Sequence, residues 1–286
     1  MTQYLPKEDE SASSRGQAHL SNKAAWDALA RADHPLTRPA RADDLVDALK
    51  KLDPVGWLGS SIHGKRVLCL AAGGGKHSVQ YAAAGADVTV LDLSAAMLDR
   101  DREAAARFRQ EIRIVKGTME DLSMFERGAF DIVIQPVSTC YVPDVVAVYR
   151  EVARVTTVGG LYISQHKQPA SLQATLAPSP LGYELVERYY RHGPLSEVAQ
   201  GGCVREPGTV EYLHRWEELI GGMARSGFVI EDLLEPRHAD PKAAVGSFGH
   251  CCVYVAPYVR VKARRVDRRV DGPVDAAPGS AEIWTP

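Results

Sequence analysis

The residues best placed to do chemistry lie in a small-residue elbow, Ala71-Ala72-Gly73-Gly74-Gly75, and at one acid, Asp92. The elbow follows an apolar, β-prone run from Val67 to Leu70 and leads into a helix-like segment from Lys76 to Ala84. Residues without bulky side chains let backbone approach a ligand, and the helix start behind them offers N–H groups to an anion. After a stop at Gly85, a second apolar run, Val88 to Leu91, ends on Asp92. A carboxylate at the carboxyl end of a neighbouring parallel strand can accept both hydroxyls of a ribose. The whole reads as a strand, turn, helix, strand unit for binding a nucleoside.

A dinucleotide fingerprint requires glycine at its first, third and sixth positions. Whichever elbow residue is taken as first, the sixth position falls on Lys76, His77, Ser78, Val79 or Gln80, and none is glycine. The spacing of Ala71, Gly73 and Gly75 instead resembles the G-x-G-x-G first motif of class I S-adenosylmethionine-dependent methyltransferases. Downstream, Gly117-Thr118-Met119-Glu120-Asp121-Leu122 is similar to the family's loop after strand three, and Phe130 to Ile134 to its strand four. Val158-Gly159-Gly160 resembles the turn into strand five, and Trp216 to Leu219 followed by Ser226-Gly227-Phe228 resembles the helix and turn before strand six.

This resemblance implies an α/β fold: a Rossmann-like seven-stranded sheet of order 3-2-1-4-5-7-6 flanked by helices, with an N-terminal helical lid and an insert after strand five. It also implies S-adenosylmethionine as cofactor. The elbow then cradles the methionine moiety, Asp92 holds the ribose, and the Met119-Glu120 loop flanks the adenine. The implied cofactor site comprises Ala71, Ala72, Gly73, Gly75, Asp92, Leu93, Met97, Met119, Glu120, Gln135, Pro136 and Val137. Two positions depart from the family pattern. Cys69 stands where an acid is usual, which removes an anchor for the methionine amino group, and Ala71 stands where glycine is usual, which narrows the elbow.

A sulfonium already activates its methyl group, so the protein must mainly align acceptor, methyl carbon and sulfur in a dry pocket. A base is required only for an acceptor whose proton leaves early. His166 at the end of strand five and His214 before the late helix are the candidate bases, and Tyr141 is a candidate to orient the acceptor. The Asn/Asp-Pro-Pro-aromatic tetrapeptide of methyltransferases acting on base or glutamine amines is absent after strand four, where Gln135-Pro136-Val137-Ser138 stands. That favours a small-molecule acceptor over nucleic acid. Tyr183, Tyr189, Tyr190 and His192 in the Pro-rich insert 168–208 are candidate substrate contacts. Long inserts of this kind are commonly lids or binding loops. A thiol acceptor site would require Cys140 and Cys203 to converge. No metal is expected, because His250, Cys251 and Cys252 on a strand would face opposite sides. The rival readings are a protein that binds the same cofactor for another reaction, a non-catalytic regulatory relative, and a nicotinamide-dependent oxidoreductase.

The elements that position these residues must come from an ordinary globular composition of 286 residues, 45% apolar and 24% charged. A net charge of −2 gives no basic field for nucleic acid. The odd set of five cysteines suits a reducing cytoplasm, and neither a signal peptide nor a membrane span is expected. Polar residues 1–20 are expected to be disordered, 21–262 to form the methyltransferase domain, and the basic segment from 263 onward to be a mobile tail. Ser21 is expected to cap a helix over Asn22 to Arg31 that carries Trp26 toward the pocket or the sheet. Ala42 to Leu52 reads as an amphipathic helix. Ser94 reads as the cap of another, whose charges Asp99, Arg100, Asp101, Arg102, Glu103, Arg107 and Arg109 are assigned to a solvated face. Helices over Asp144 to Val155 and Trp216 to Arg225, and strands over Leu161 to Gln165, Val229 to Leu234 and Cys251 to Val255, complete the reading.

Overall fold

The computed structural model describes residues 8–198 and 204–267, with side chains from residue 15 onward. Seven strands, β1 (Arg66–Leu70), β2 (Asp87–Asp92), β3 (Ile112–Lys116), β4 (Phe130–Gln135), β5 (Thr156–Lys167), β6 (Phe228–Leu234) and β7 (Tyr258–Arg265), form one sheet. Its order is β3-β2-β1-β4-β5-β7-β6, as the resemblance implies. β1 to β5 run parallel, and β7 inserts antiparallel between β5 and β6.

The central strands are apolar along their length because both faces are covered. Leu68, Leu70, Val133, Tyr162 and Val259 face one core, in which Tyr149 of helix α6 (Val145–Val155) is fully buried. Val67, Cys69, Val90, Ile134 and Ile163 face the other, closed by Trp57, Ile62 and Tyr81. Tyr81 belongs to helix α4 (His77–Ala83), which follows the elbow. Helix α5 (Ala95–Phe108) starts where Ser94 Oγ accepts the Met97 N–H at 3.1 Å, the expected cap. Asp144 Oδ1 does the same for α6, accepting from the N–H groups of Val146 and Ala147. Among the described residues no helix is long and apolar enough to cross a membrane.

Several elements differ from the sequence reading. The first helix, α1, runs Glu8–Arg31, so residues 8–20 are helical rather than disordered, while 1–7 lie outside the described residues. Tertiary contacts hold it where composition would not: Ala18 is buried, and Arg15 and His19 reach Glu120. The expected helix over Ala42 to Leu52 is two short ones, α2 (Ala42–Leu45) and α3 (Ala48–Leu52), broken where Asp47 adopts φ +50°. Val158 to Gly160 lie inside β5, which begins at Thr156 rather than after a turn. The insert contains a short helix α7 (Pro169–Gln173), and the late helix is a π-type turn, Glu217–Gly221, running into α8 (Gly222–Arg225).

The largest correction concerns the end of the chain. Cys251 to Val255 is not a strand; Cys251 to Tyr254 belong to helix α9 (Phe248–Tyr254), started by Ser247 Oγ accepting the His250 N–H, and Val255 follows its end. The last strand is β7, taken from what was expected to be the linker and basic tail. Val259, Val261 and Ala263 are fully buried, while Lys262 and Arg264 on the opposite face pair with Glu231 of β6. The strict two-residue alternation of apolar and basic side chains is the signature of a strand with one polar face.

Val261→Asp therefore puts an unpaired carboxylate into the closed core. We expect a stability loss of about 3 kcal/mol or more, read from urea unfolding midpoints.

Candidate functional site

The elbow is shaped by two carboxylates. Asp92, at the end of β2, accepts the Gly73 N–H on Oδ2 and the Ser94 N–H on Oδ1, both at 2.9 Å. A Cβ on Gly73 would come within 3.0 Å of the Asp92 carboxylate and 2.8 Å of Met97 Cβ, so only glycine allows this approach. Asp101, from α5, accepts the Gly74 N–H at 2.9 Å and the Gly75 N–H at 3.0 Å, and the Ser78 hydroxyl as well. Gly74 and Gly75 have φ of +115° and +70°, a region glycine enters without strain. Ala71 holds φ +48° despite its methyl group.

Asp101 is fully buried, not on a solvated face. Burial pushes its carboxyl up to about 7 against the pull of its donors, and the nearby Asp92 charge adds to the rise. Its field in turn adds to the burial that raises the Cys69 thiol. The acid missing at position 69 thus has a counterpart in the same neighbourhood, delivered from a different element. Asp92 is likewise raised, chiefly by burial.

A cavity of about 740 Å³ opens over the elbow. Its roof is α1. Asn22 donates to the carbonyls of Tyr141 and Val210 and accepts the Val210 N–H. Asp27 accepts from Lys23, the Ser94 hydroxyl and the Ala96 N–H. Burial raises its carboxyl, yet these donors prevail and hold it below the ordinary carboxylate range. Trp26 lines the cavity and meets the Tyr141 ring edge-on at 5.9 Å. At the far end, Glu206 of the insert accepts from Lys167 Nζ at 2.6 Å and from the Tyr141 hydroxyl at 2.8 Å. Lys167 also reaches Glu211, which Arg205 balances.

Comparison with known proteins bears on this arrangement. A methyltransferase-domain family model matches residues 68–164. The chain is similar to an uncharacterised methyltransferase, YbaJ, of Bacillus subtilis (strain 168), with 33% identity over 187 residues, 64% of this chain and 73% of that protein. This chain belongs to the S-adenosylmethionine-dependent methyltransferase family. Its fold is similar to the crystal structure of an S-adenosylmethionine-dependent methyltransferase from Mesorhizobium loti, at a TM-score of 0.60 and 24% identity over 77% of this chain and 100% of that one. It is also similar to a ubiquinone biosynthesis O-methyltransferase of Bordetella avium (strain 197N), 30% identical over 145 residues, 50% of this chain and 58% of that protein.

S-adenosylmethionine is the methyltransferase's cofactor, and the donor set fits it. Asp92 presents a carboxylate to the cavity beside a glycine that cannot carry a side chain. The N–H groups of Gly73, Gly74 and Gly75 are occupied by Asp92 and Asp101. Such an elbow suits a nucleoside without phosphates.

Of the residues expected at the cofactor, Ala71, Ala72, Gly73, Asp92, Leu93, Met97, Met119, Gln135, Pro136 and Val137 all line the cavity. Gly75 sits behind the elbow, where a Cβ would strike the Arg100 carbonyl at 2.5 Å. Glu120 turns toward the roof, 2.5 Å from His19 Nε2.

The expected bases fare differently. His166 is fully buried in the core beneath the sheet, its two nitrogens 2.9 Å from Thr139 Oγ1 and 2.7 Å from Ser164 Oγ. Burial, with His214 nearby, pushes it down to about 3. His214 Nε2 is held by the carbonyls of Thr139 and Val142, and burial lowers its pKa too. Neither lines the cavity; both brace the turn that carries Tyr141, which does line it. Burial, followed by the Glu206 charge, raises the Tyr141 phenol well above its ordinary value.

The expected substrate residues also lie elsewhere. Tyr183 packs on His250 and Tyr254, Tyr189 hydrogen-bonds the Trp216 N–H, and Tyr190 and His192 are exposed. Among the described residues of the insert, only Glu206 reaches the cavity. Cys203 lies outside the described residues.

Sequence reasoning missed Asp101, Asn22, Asp27 and Glu206. Asp101 was readable, since Met97, Leu98, Asp101, Ala104 and Ala105 share one face of α5 at helical spacing and all are buried. Glu206 sits in irregular chain, where no periodicity marks it.

Between about pH 4 and about pH 7 the folded protein holds a proton on Asp101 that the unfolded chain has released. Its contribution to stability therefore falls as pH rises through that window. Asp101→Asn should flatten the slope of unfolding free energy against pH there, without abolishing it because Asp92 is also raised. Urea titrations at stepped pH check this.

Proposed function

We propose that this methyltransferase transfers a methyl group to a small organic molecule that shares the cavity with the cofactor. One observation carries the reading: a single cavity runs from the elbow and Asp92 to Tyr141, Glu206 and Tyr258 under the α1 roof. A roof anchored through Asn22 and Asp27 leaves room for a compact acceptor and favours it over a folded polymer.

When bound, S-adenosylmethionine supplies a methyl group already activated by its sulfonium. Asp92 accepts hydrogen bonds from the ribose hydroxyls while keeping its hold on Gly73. Leu93, Met97, Met119 and Val137 give the base an apolar slot, and Trp26 in the roof excludes water. Asp101 fixes the elbow from behind and does not touch the ligand. At the far end, the Glu206 carboxylate accepts a hydrogen bond from the acceptor's O–H or N–H and takes its proton if it leaves early. Tyr141 and Lys167 hold that carboxylate in position and balance its charge. Orienting both partners in one cavity can lower a barrier by ~7–11 kcal/mol.

The reading is tested by incubating the protein with methyl-labelled S-adenosylmethionine and a cell extract, then separating small and large molecules. Label in the low-mass fraction with S-adenosylhomocysteine released is the expected result. Label confined to nucleic acid or protein refutes the small-molecule acceptor. Asp92→Asn should weaken S-adenosylhomocysteine binding roughly tenfold or more in titration calorimetry, because a charge-assisted pair of hydrogen bonds is lost.

A further inference from the structure

The cavity wall carries charges of both signs, and two of its cations lack an acid partner among the described residues. Four carboxylates line the wall, Asp44, Asp53, Asp92 and Glu206, and each already accepts hydrogen bonds. Asp44 takes the Arg41 N–H, Asp53 the N–H groups of Trp57 and Leu58, Asp92 those of Gly73 and Ser94, and Glu206 the Lys167 and Tyr141 groups. Of the cations in the same wall, Lys23 pairs with Asp27, Arg38 with Asp33, and Lys51 with the Asp43 carbonyl. Arg260 and Lys76 have no acid partner among the described residues.

Arg260 is the more telling of the two. It stands on β7 opposite Gln165 of β5, half-buried, on the sheet face that the cavity uses. Its basic neighbours on the strand are all engaged: Lys262 and Arg264 pair with Glu231, and Arg265 donates to the Ala153 carbonyl. A half-buried guanidinium without a counter-charge is costly unless a ligand supplies one. Asp53 acts with it on the Tyr81 phenol, but that carboxylate is taken up by the N–H groups of Trp57 and Leu58. Burial pushes His77 down to about 4, and the positive charges of Lys76 and Arg260 push in the same direction. His77 is neutral near pH 7 and supplies no counter-charge. Trp57, Ile134 and Ile163 give the wall apolar surface, beside the polar Gln165, His77, Tyr81 and Tyr258.

We propose that the methyl acceptor is an organic acid whose carboxylate is held by Arg260 while its apolar body lies against Trp57, Ile134 and Ile163. This rests on the reading that the acceptor is a small molecule in the cofactor's cavity. A guanidinium offers a planar pair of N–H donors to a carboxylate, which a lysine at that position cannot match. Glu206 is an acid already held by Lys167 and Tyr141 and does not take the acceptor's carboxylate, which falls to Arg260.

The test is thermal unfolding of the full chain saturated with S-adenosylhomocysteine, titrated with benzoate, cinnamate, indole-3-acetate and decanoate, with the methyl ester of each, and with inorganic phosphate. At least one acid should raise the midpoint while its ester does not. In Arg260→Ala that acid should bind roughly tenfold more weakly or worse, with Arg260→Lys intermediate. The shift from S-adenosylhomocysteine itself should persist in both variants, which also shows that they fold. Equal shifts from acid and ester, or no acid shift in the whole panel, overturn the proposal. A larger shift from phosphate overturns the carboxylate in favour of a phosphorylated acceptor. Loss of the S-adenosylhomocysteine shift in Arg260→Ala assigns the guanidinium to the cofactor's own carboxylate and also overturns it. If the wild-type chain binds no S-adenosylhomocysteine, or the label reaches only macromolecules, the underlying reading fails and the proposal with it.

Discussion

The structure of this methyltransferase depends on the capture of three consecutive backbone N–H groups, at Gly73, Gly74 and Gly75, by the carboxylates of Asp92 and Asp101. A buried amide without a partner costs free energy comparable to a lost hydrogen bond. A turn that folds back on itself beneath a ligand has several such groups and no neighbouring strand to satisfy them. Two acids from β2 and α5 meet that demand. They also fix where β1 ends, where α4 begins and how closely α5 lies over the elbow. Substituting either acid disturbs all three relations at once.

The same constraint explains the residues that look unusual beside the family pattern. Without an acid at position 69, β1 carries only apolar side chains and Cys69 is simply core. Asp101 supplies a buried carboxylate in the same neighbourhood, spent on Ser78 and the elbow amides. Ala71 keeps a left-handed backbone that glycine would hold with less strain, so the turn relies on its acceptors for its shape.

Much of this was legible in the sequence where local pattern and tertiary role agree. The elbow, Asp92, the Ser94 cap and the parallel strands are each marked by residue type at fixed spacing, and the strand order followed from the family resemblance. Asp101 was lost because alternating charges near it suggested a solvated face, although the three- and four-residue spacing of Met97, Leu98, Ala104 and Ala105 points inward. β7 was lost for a similar reason: attention to its arginines and lysine hid the buried Val259, Val261 and Ala263 between them. His166 and His214 were selected by position along the chain, which cannot reveal which sheet face a side chain takes. The Asn22 to Arg31 part of α1 was legible, but its extension back to Glu8 and the place of Glu206 had no local signal, since contacts distant in sequence hold both.

That last property gives the roof a particular place in the life of the protein. Asn22 of α1 bonds to groups 119 and 188 positions away, and Asp27 to Ser94 and Ala96, 67 and 69 positions away. Ties of such span close only when the sheet has already brought their ends together, because loop closure over long separations is slow and entropically costly. α1 is therefore expected to dock late in folding, on ties that only the assembled sheet can offer. Hydrogen exchange should find the body of the domain protected longer than the roof.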